Sequence, residues 1–167
     1  MTTLADAPSI PCRPIGFVRS RFAEPAGAPI QTAAAPEEHA VLELLPAYAP
    51  GLRDIEGFSH LVLLTHFHLC AHERLEVTPF LDQQAHGVFA TRAPTRPNRL
   101  GLSIVRLLRV DGQRLHFAGN DMVDGTPVLD IKPWVPRFDQ PEGEVRIGWF
   151  EGRLDALAGH RADDRMR

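Results

Sequence analysis

The chain has 167 residues, 23% charged and 44% hydrophobic, with a formal net charge of −3. That length predicts one domain with a sizeable core, and the composition is that of a soluble globular protein, not a fibrous, disordered or membrane-spanning one. Cys12 and Cys70 are too few and too far apart for a disulfide framework and fit a cytoplasmic setting, Met1 to Pro11 lacks a signal-peptide pattern, and no apolar run reaches membrane-spanning length.

Taken in chain order, Pro14 to Ser20 predicts a first short strand, and residues 23–38, rich in Ala, Pro and Gly, predict a long loop. Ala40 to Leu45 predicts a second strand ended by Pro46, and 46–57 a connection. Phe58 to His68 predicts a strongly apolar strand, with His60, Val62, Leu64, His66 and His68 on one face by alternation. Cys70 to Gln84 is a poorly patterned connection. Gly87 to Thr91 is a strand-like run, and Leu102 to Val110 a long strand closed by Asp111-Gly112, the strongest hairpin signal in the chain. Arg114 to Gly119 is its partner. Asn120 to Gly125 is an acidic turn-rich loop, Pro127 to Lys132 a strand, Glu144 to Trp149 a final strand, Phe150 to Ala158 a short amphipathic helix, and Ala162 to Arg167 a fraying end. The result is an all-β fold: a small closed β-barrel of about seven strands, with long loops and a short C-terminal extension. Residues 1–13 read as a tail, 14–138 as the barrel domain and 139–167 as the extension.

The stretch from Gly87 to Ser103 carries the strongest functional signal. Arg92 ends the apolar run, and Pro94 and Pro97 stiffen a loop that holds Arg96, Asn98 and Arg99, a device suited to an anion or a nucleotide. A proline-rich hairpin with solvated arginines explains the same residues. Between Arg92 and Arg114 stand six arginines and one acid, Asp111, leaving 12 of 18 basic and 20 of 21 acidic residues to the rest. A local basic face on an acidic body is the form that phosphate binding requires.

Other chemistries find less support. His60, His66, His68 and His72 have ligand-like spacing, but no Cys-x-x-Cys or His-Glu-x-x-His pattern accompanies them, so no metal is expected. Nucleophile-elbow, dinucleotide-fold and P-loop signatures are missing. Asp121, Asp124 and Asp130 flank Gly125 and form either a plain turn or an acidic set that orients a ligand.

Gly87 to Pro94, Arg96 to Ser103 and Asp124 to Pro133 resemble the signatures of the TsaA-like (YaeB-like) family, and Ile15-Gly16 and Phe58 to Leu61 fit the same pattern. The resemblance covers about residues 14–138. It implies a small β-barrel that binds S-adenosyl-L-methionine, often as a homodimer. The TrmO-type members methylate N6 of threonylcarbamoyladenosine at position 37 of tRNA. Carried over position by position, the cofactor contacts are Pro29, Gln31, His68, Leu69, Arg92, Leu102, Met122, Val123, Asp124 and Gly125. Arg96, Arg99, Arg106 and Arg109 are candidates for tRNA phosphates, and His68 or Asp124 for the base that takes a proton. This sequence departs from the family pattern at Ile30 (Arg in the family), at Leu69 (commonly Gln), at Arg99 (commonly Pro) and in the shorter segment 78–84. A cofactor-binding sensor without catalysis, or a methyltransferase acting on a small molecule, stands as the alternative.

Overall fold

The apolar alternation along the chain closes one sheet upon itself. The computed structural model describes residues 8–163, and eight strands run through them. These are β1 (Gly16–Arg19), β2 (His39–Leu44), β3 (His60–His66), β4 (Glu76–Val77), β5 (His86–Gly87), β6 (Leu100–Asp111), β7 (Arg114–Ala118) and β8 (Pro127–Pro133). A single helical turn, α1 (Pro136–Asp139), follows. Six strands form an antiparallel closed barrel in the order β1-β2-β7-β6-β3-β8, and β4 and β5 pair separately. The fold is thus the expected closed barrel, with six barrel strands where about seven were expected.

Closure leaves no barrel edge unpaired, and alternate side chains fill the interior. Val18, Leu42, Leu61, Leu63, Val105, Leu115, Phe117 and Val128 are each no more than 1% exposed. Burying each such side chain contributes roughly 1.5–3 kcal/mol. On β3, Leu61, Leu63 and Thr65 point inward, so His60, Val62, Leu64 and His66 share the outer face. His68 does not join them. It lies beyond the strand, in a turn where its N–H donates to His66 O (2.8 Å).

β6 is long enough to need a bend. Leu107 pairs with Phe117 and Arg109 with His116, leaving Leu108 as the extra residue of a bulge. Gly112 then takes the positive φ (59°) that the first position of a two-residue hairpin loop favours.

Four expectations are corrected. The run Gly87 to Thr91 is not a strand: after β5 the chain turns into a 3-10 helix, Val88–Ala90. Val88 is buried against Val77 and Ala93 while Phe89 is 75% exposed, and Thr91 closes the turn with both N–H and Oγ1 donating to Val88 O. Residues 144–149 form no strand and 150–158 no amphipathic helix, but short 3-10 turns at Gly148–Phe150 and Leu154–Leu157. Gly148, Gly152 and Gly159 all hold positive φ there, which interrupts any regular element. Ala162 does not fray: its N–H donates to Ala28 O (2.8 Å), and its carbonyl accepts from Gly27 N–H (2.9 Å). The expectations for residues 1–7 and 164–167 lie outside the described residues.

Candidate cofactor cleft

Six segments converge on a cleft of about 680 Å3. They are the early loop around Pro29 to Ala33, the end of β3 with the turn to Cys70, the stretch Pro79 to Leu81, the 91–96 loop with the start of β6, the 121–126 segment after β7, and the C-terminal segment from Ile147 onward. From sequence the last of these reads only as part of a C-terminal extension, with no role assigned to it either way.

The close approach of these segments has local causes. Gly101 sits where an added Cβ would stand 2.5 Å from Thr65 Oγ1 and 3.0 Å from the Phe67 ring, so only glycine lets β6 pass the end of β3. Phe67 N–H donates to Arg99 O (2.8 Å), tying the turn after β3 to the arginine loop. Asn120, 0% exposed, staples the loop after β7. Its Nδ2 donates to Ser20 Oγ (2.9 Å) and Met122 O (3.0 Å), and its Oδ1 accepts from Met122 N–H (3.1 Å). Buried amides are stable only when satisfied in this way.

Of the predicted cofactor contacts, Pro29, Gln31, His68, Leu69, Arg92, Leu102, Met122 and Val123 line the cleft. His68 has the most telling environment. Its Nδ1 is buried with no hydrogen-bond partner, and its Nε2 lies 3.8 Å from where a Cβ on Gly125 would be. Burial first, and the neighbouring His66 second, push its pKa below the ordinary imidazole value, so the ring is neutral at pH 7. Asp124 and Gly125 stand just behind this wall and are not part of it. The Asp124 carboxylate is turned away: Oδ1 accepts the Ser20 N–H (3.1 Å), while Asp124 N–H donates to Phe22 O (2.7 Å). Gly125, at φ 73°, donates its N–H to Val18 O (2.8 Å).

The acidic set is therefore split three ways. Asp130 pairs with Lys132 (2.7 Å), Asp124 caps the Ser20 backbone, and Asp121 lines the cleft. Asp121 Oδ1 accepts from Ser103 Oγ (2.7 Å), and burial above all raises its pKa to about 6.

The arginines also separate. Arg96 is committed inside its own loop, donating from Nη1 to the carbonyls of Thr91 (2.9 Å), Val88 (3.2 Å) and Ala93 (3.4 Å). Arg92 reaches Leu102 O (3.5 Å) at the cleft wall. Arg99 adopts φ 50°, a left-handed conformation closed to proline, with Nη2 directed at Ala71 O (3.4 Å). Arg106 pairs with Glu37 (3.0 Å) and Arg109 lies 3.4 Å from His116 Nδ1, both on the half of β6 leading to the hairpin.

Sequence reading missed Asn120, gave Asp121 no separate role and overlooked Trp149. Trp149 stacks on His86 (4.7 Å) and Phe150 (3.8 Å) and donates Nε1–H to Ala90 O (2.8 Å). A tryptophan in an otherwise unpatterned polar segment is the only signal that pointed there. Among the described residues, no three metal-ligating side chains gather, and no helix is long and apolar enough to cross a membrane.

The sequence profile of the tRNA-methyltransferase O N-terminal domain matches residues 17–140. The chain belongs to that family. Within the TrmO family, it is 48% identical over 154 residues to a Pyrococcus abyssi protein named a probable S-adenosyl-L-methionine-binding protein, covering 92% of this chain and 83% of that one. It is 36% identical over 146 residues to the tRNA (adenine(37)-N6)-methyltransferase of Mus musculus, covering 82% of this chain and 33% of that one. The crystal structure of TrmO from Pseudomonas aeruginosa superposes with a TM-score of 0.69 at 40% identity, over 84% of this chain and 62% of that one. The chain thus spans most of the archaeal relative, under two thirds of the solved bacterial structure and one third of the mammalian protein.

Proposed function

We propose that this chain is an S-adenosyl-L-methionine-dependent methyltransferase acting on tRNA, with N6 of threonylcarbamoyladenosine at position 37 as its target. The observation that carries the reading is the His68 ring nitrogen, buried and unpartnered in the wall of a cleft built by the TrmO-family segments. An orphaned buried polar atom of this kind asks for a ligand group. The cleft suits the cofactor in its other walls too: apolar Phe67, Leu69 and Met122 for a flat ring and the aliphatic chain that bears the sulfonium, and Gln31, Thr32 and Arg92 for its polar end. When bound, S-adenosyl-L-methionine supplies an electrophilic methyl group. The protein's share is alignment, which the fixed loops at Asn120 and Arg96 provide, and exclusion of water by the C-terminal segment.

For tRNA, the reading assigns Arg99 to phosphates at the cleft mouth, with Arg106 and Arg109 further along β6 and Arg96 holding the loop's shape. A base splayed from a single-stranded loop is the form of RNA such a cleft admits. A tRNA substrate implies work in the cytoplasm. Homodimer formation has support in the outer face of β6 beyond the cleft, where Ile104 and Leu108 are 39% and 41% exposed. The Pyrococcus relative, named only for binding, favours a second reading: a cofactor sensor without catalysis. Incubating the chain with methyl-labelled cofactor and unfractionated tRNA separates them. Label in tRNA, abolished by Asn120→Ala or by Gly101→Val, is expected. Cofactor binding with no labelled tRNA would overturn the tRNA reading in favour of the sensor or of a small-molecule methyltransferase.

A further inference from the structure

Asp121 holds a carboxylate in the cleft wall. Asn120 fixes the loop beside it, so the direction of the Asp121 side chain is set by a buried staple. Ser103, on the inward face of β6, donates its hydroxyl to Oδ1 (2.7 Å). The backbone amide of Thr32 acts on the carboxylate in the same sense, and Arg92 reaches it through its field. His68, Cys70, Arg96 and Asp163 are the other ionisable groups of the cleft wall.

We propose that Asp121, oriented by Ser103, is the proton acceptor for the substrate nitrogen that receives the methyl group. The inference rests on the methyltransferase reading above. An amide-like exocyclic nitrogen is a weak nucleophile while it keeps its proton, so a base within reach of the reacting atoms is needed. Asp124 does not serve, because its carboxylate lies outside the cleft and is bonded to Ser20. As the C–N bond forms the C–S bond breaks and sulfur keeps its electron pair. Nitrogen keeps the N–H pair, and the proton passes to an Asp121 oxygen and then to solvent. A carboxylate with a pKa raised to about 6 is ionised at neutral pH yet basic enough to take that proton.

The test uses the full chain, methyl-labelled S-adenosyl-L-methionine and unfractionated tRNA, with single-turnover rates across pH and 13C NMR titration of the Asp121 carboxyl. The wild-type rate is expected to fall below a pH of about 6, in step with the NMR titration. Asp121→Asn should slow transfer by about 100-fold or more, leaving cofactor affinity by calorimetry within about threefold. Ser103→Ala removes a hydrogen bond that favours the ionised form, so rate profile and NMR titration should both move to higher pH. A merely structural serine would leave both in place. Transfer by Asp121→Asn above about a tenth of the wild-type rate, or parallel loss of rate and cofactor affinity, overturns the base role. So does a Ser103→Ala profile that does not move, which decides the matter if Asp121→Asn fails to fold. Wild-type chain that binds cofactor but labels no tRNA overturns the tRNA methyltransferase reading, and the base role toward a tRNA nitrogen with it.

Discussion

Trp149 donates its indole N–H to the carbonyl of Ala90 (2.8 Å), fastening the C-terminal segment to the turn that leads into the arginine loop. Gly159 N–H to Ala34 O (3.3 Å), the Ala28–Ala162 pair and Arg153 to Asp82 (3.4 Å) continue the seam along the cleft. The segment from Ile147 to Asp163 is therefore a wall of the site.

Trp149→Ala loses that hydrogen bond and two aromatic stackings. The expected cost is about 1–3 kcal/mol of local stability, read as faster amide exchange of residues 27–34 and 147–163 with the barrel strands unchanged. Cofactor affinity should weaken at the same time. Exchange that speeds equally in β2 and β7 would show that the segment belongs to the barrel's cooperative core instead.

Asn120→Ala leaves both the N–H and the carbonyl of buried Met122 without their partner, while Ser20 Oγ keeps the Phe22 N–H. A loss of about 2–4 kcal/mol in urea unfolding is expected, with the m-value unchanged. A loss under about 1 kcal/mol would mean the loop after β7 is held by something other than this amide.

The pH dependence of stability follows from Asp121. Its folded pKa of about 6 lies above the ordinary value of 3.8, so between those two values the folded state binds the extra proton. Stability from this group is therefore full at low pH and declines as pH rises through that window. Asp121→Asn should stabilise the protein at pH 7 by about 1–3 kcal/mol, and the gain should disappear at a pH of about 4. Glu38 has the opposite sign: Arg21 holds its carboxylate below the usual range, so its contribution is lost only as pH falls through the lowered value. Thermal unfolding of both forms across pH separates the two.

Arg99 is strained at φ 50°, where an L-residue costs roughly 1–2 kcal/mol. Arg99→Gly should raise stability by about 0.5–1 kcal/mol while lowering tRNA affinity, and Arg99→Pro should cost more than 1 kcal/mol because proline cannot enter that region. Equal melting temperatures for the glycine and proline variants would contradict the strain.

Much of the barrel was legible because its signals are local. Leu61-Val62-Leu63-Leu64 is a short continuous apolar run, Leu102 to Val110 is rich in aliphatic residues, and Asp111-Gly112 marks its hairpin, so six of the strand positions came from pattern alone. Gly87 to Thr91 misled because Val88 and Phe89 are both apolar, and only the packing of Val88 against Val77 and Ala93 decides that the run coils. Within the site, the family signatures led to His68, Arg92 and Met122. Asp121 and Asp124 could not be told apart by spacing, since what separates them is which one meets Ser103 from a different strand and which one meets Ser20. The wall formed by Trp149 and its neighbours rests on long-range hydrogen bonds from glycine-broken turns, and no periodicity announces those.

The central claim is that the cleft walled by His68, Gly101 and Asp121 holds S-adenosyl-L-methionine. Calorimetric titration of the full chain with the cofactor and with its demethylated product tests it most directly. Saturable one-to-one binding on the order of micromolar, lost when Gly101→Val forces β6 away from Thr65 and Phe67 at the cleft wall, is the predicted result. No saturable heat with either compound at millimolar concentration, or undiminished binding by Gly101→Val, would contradict it.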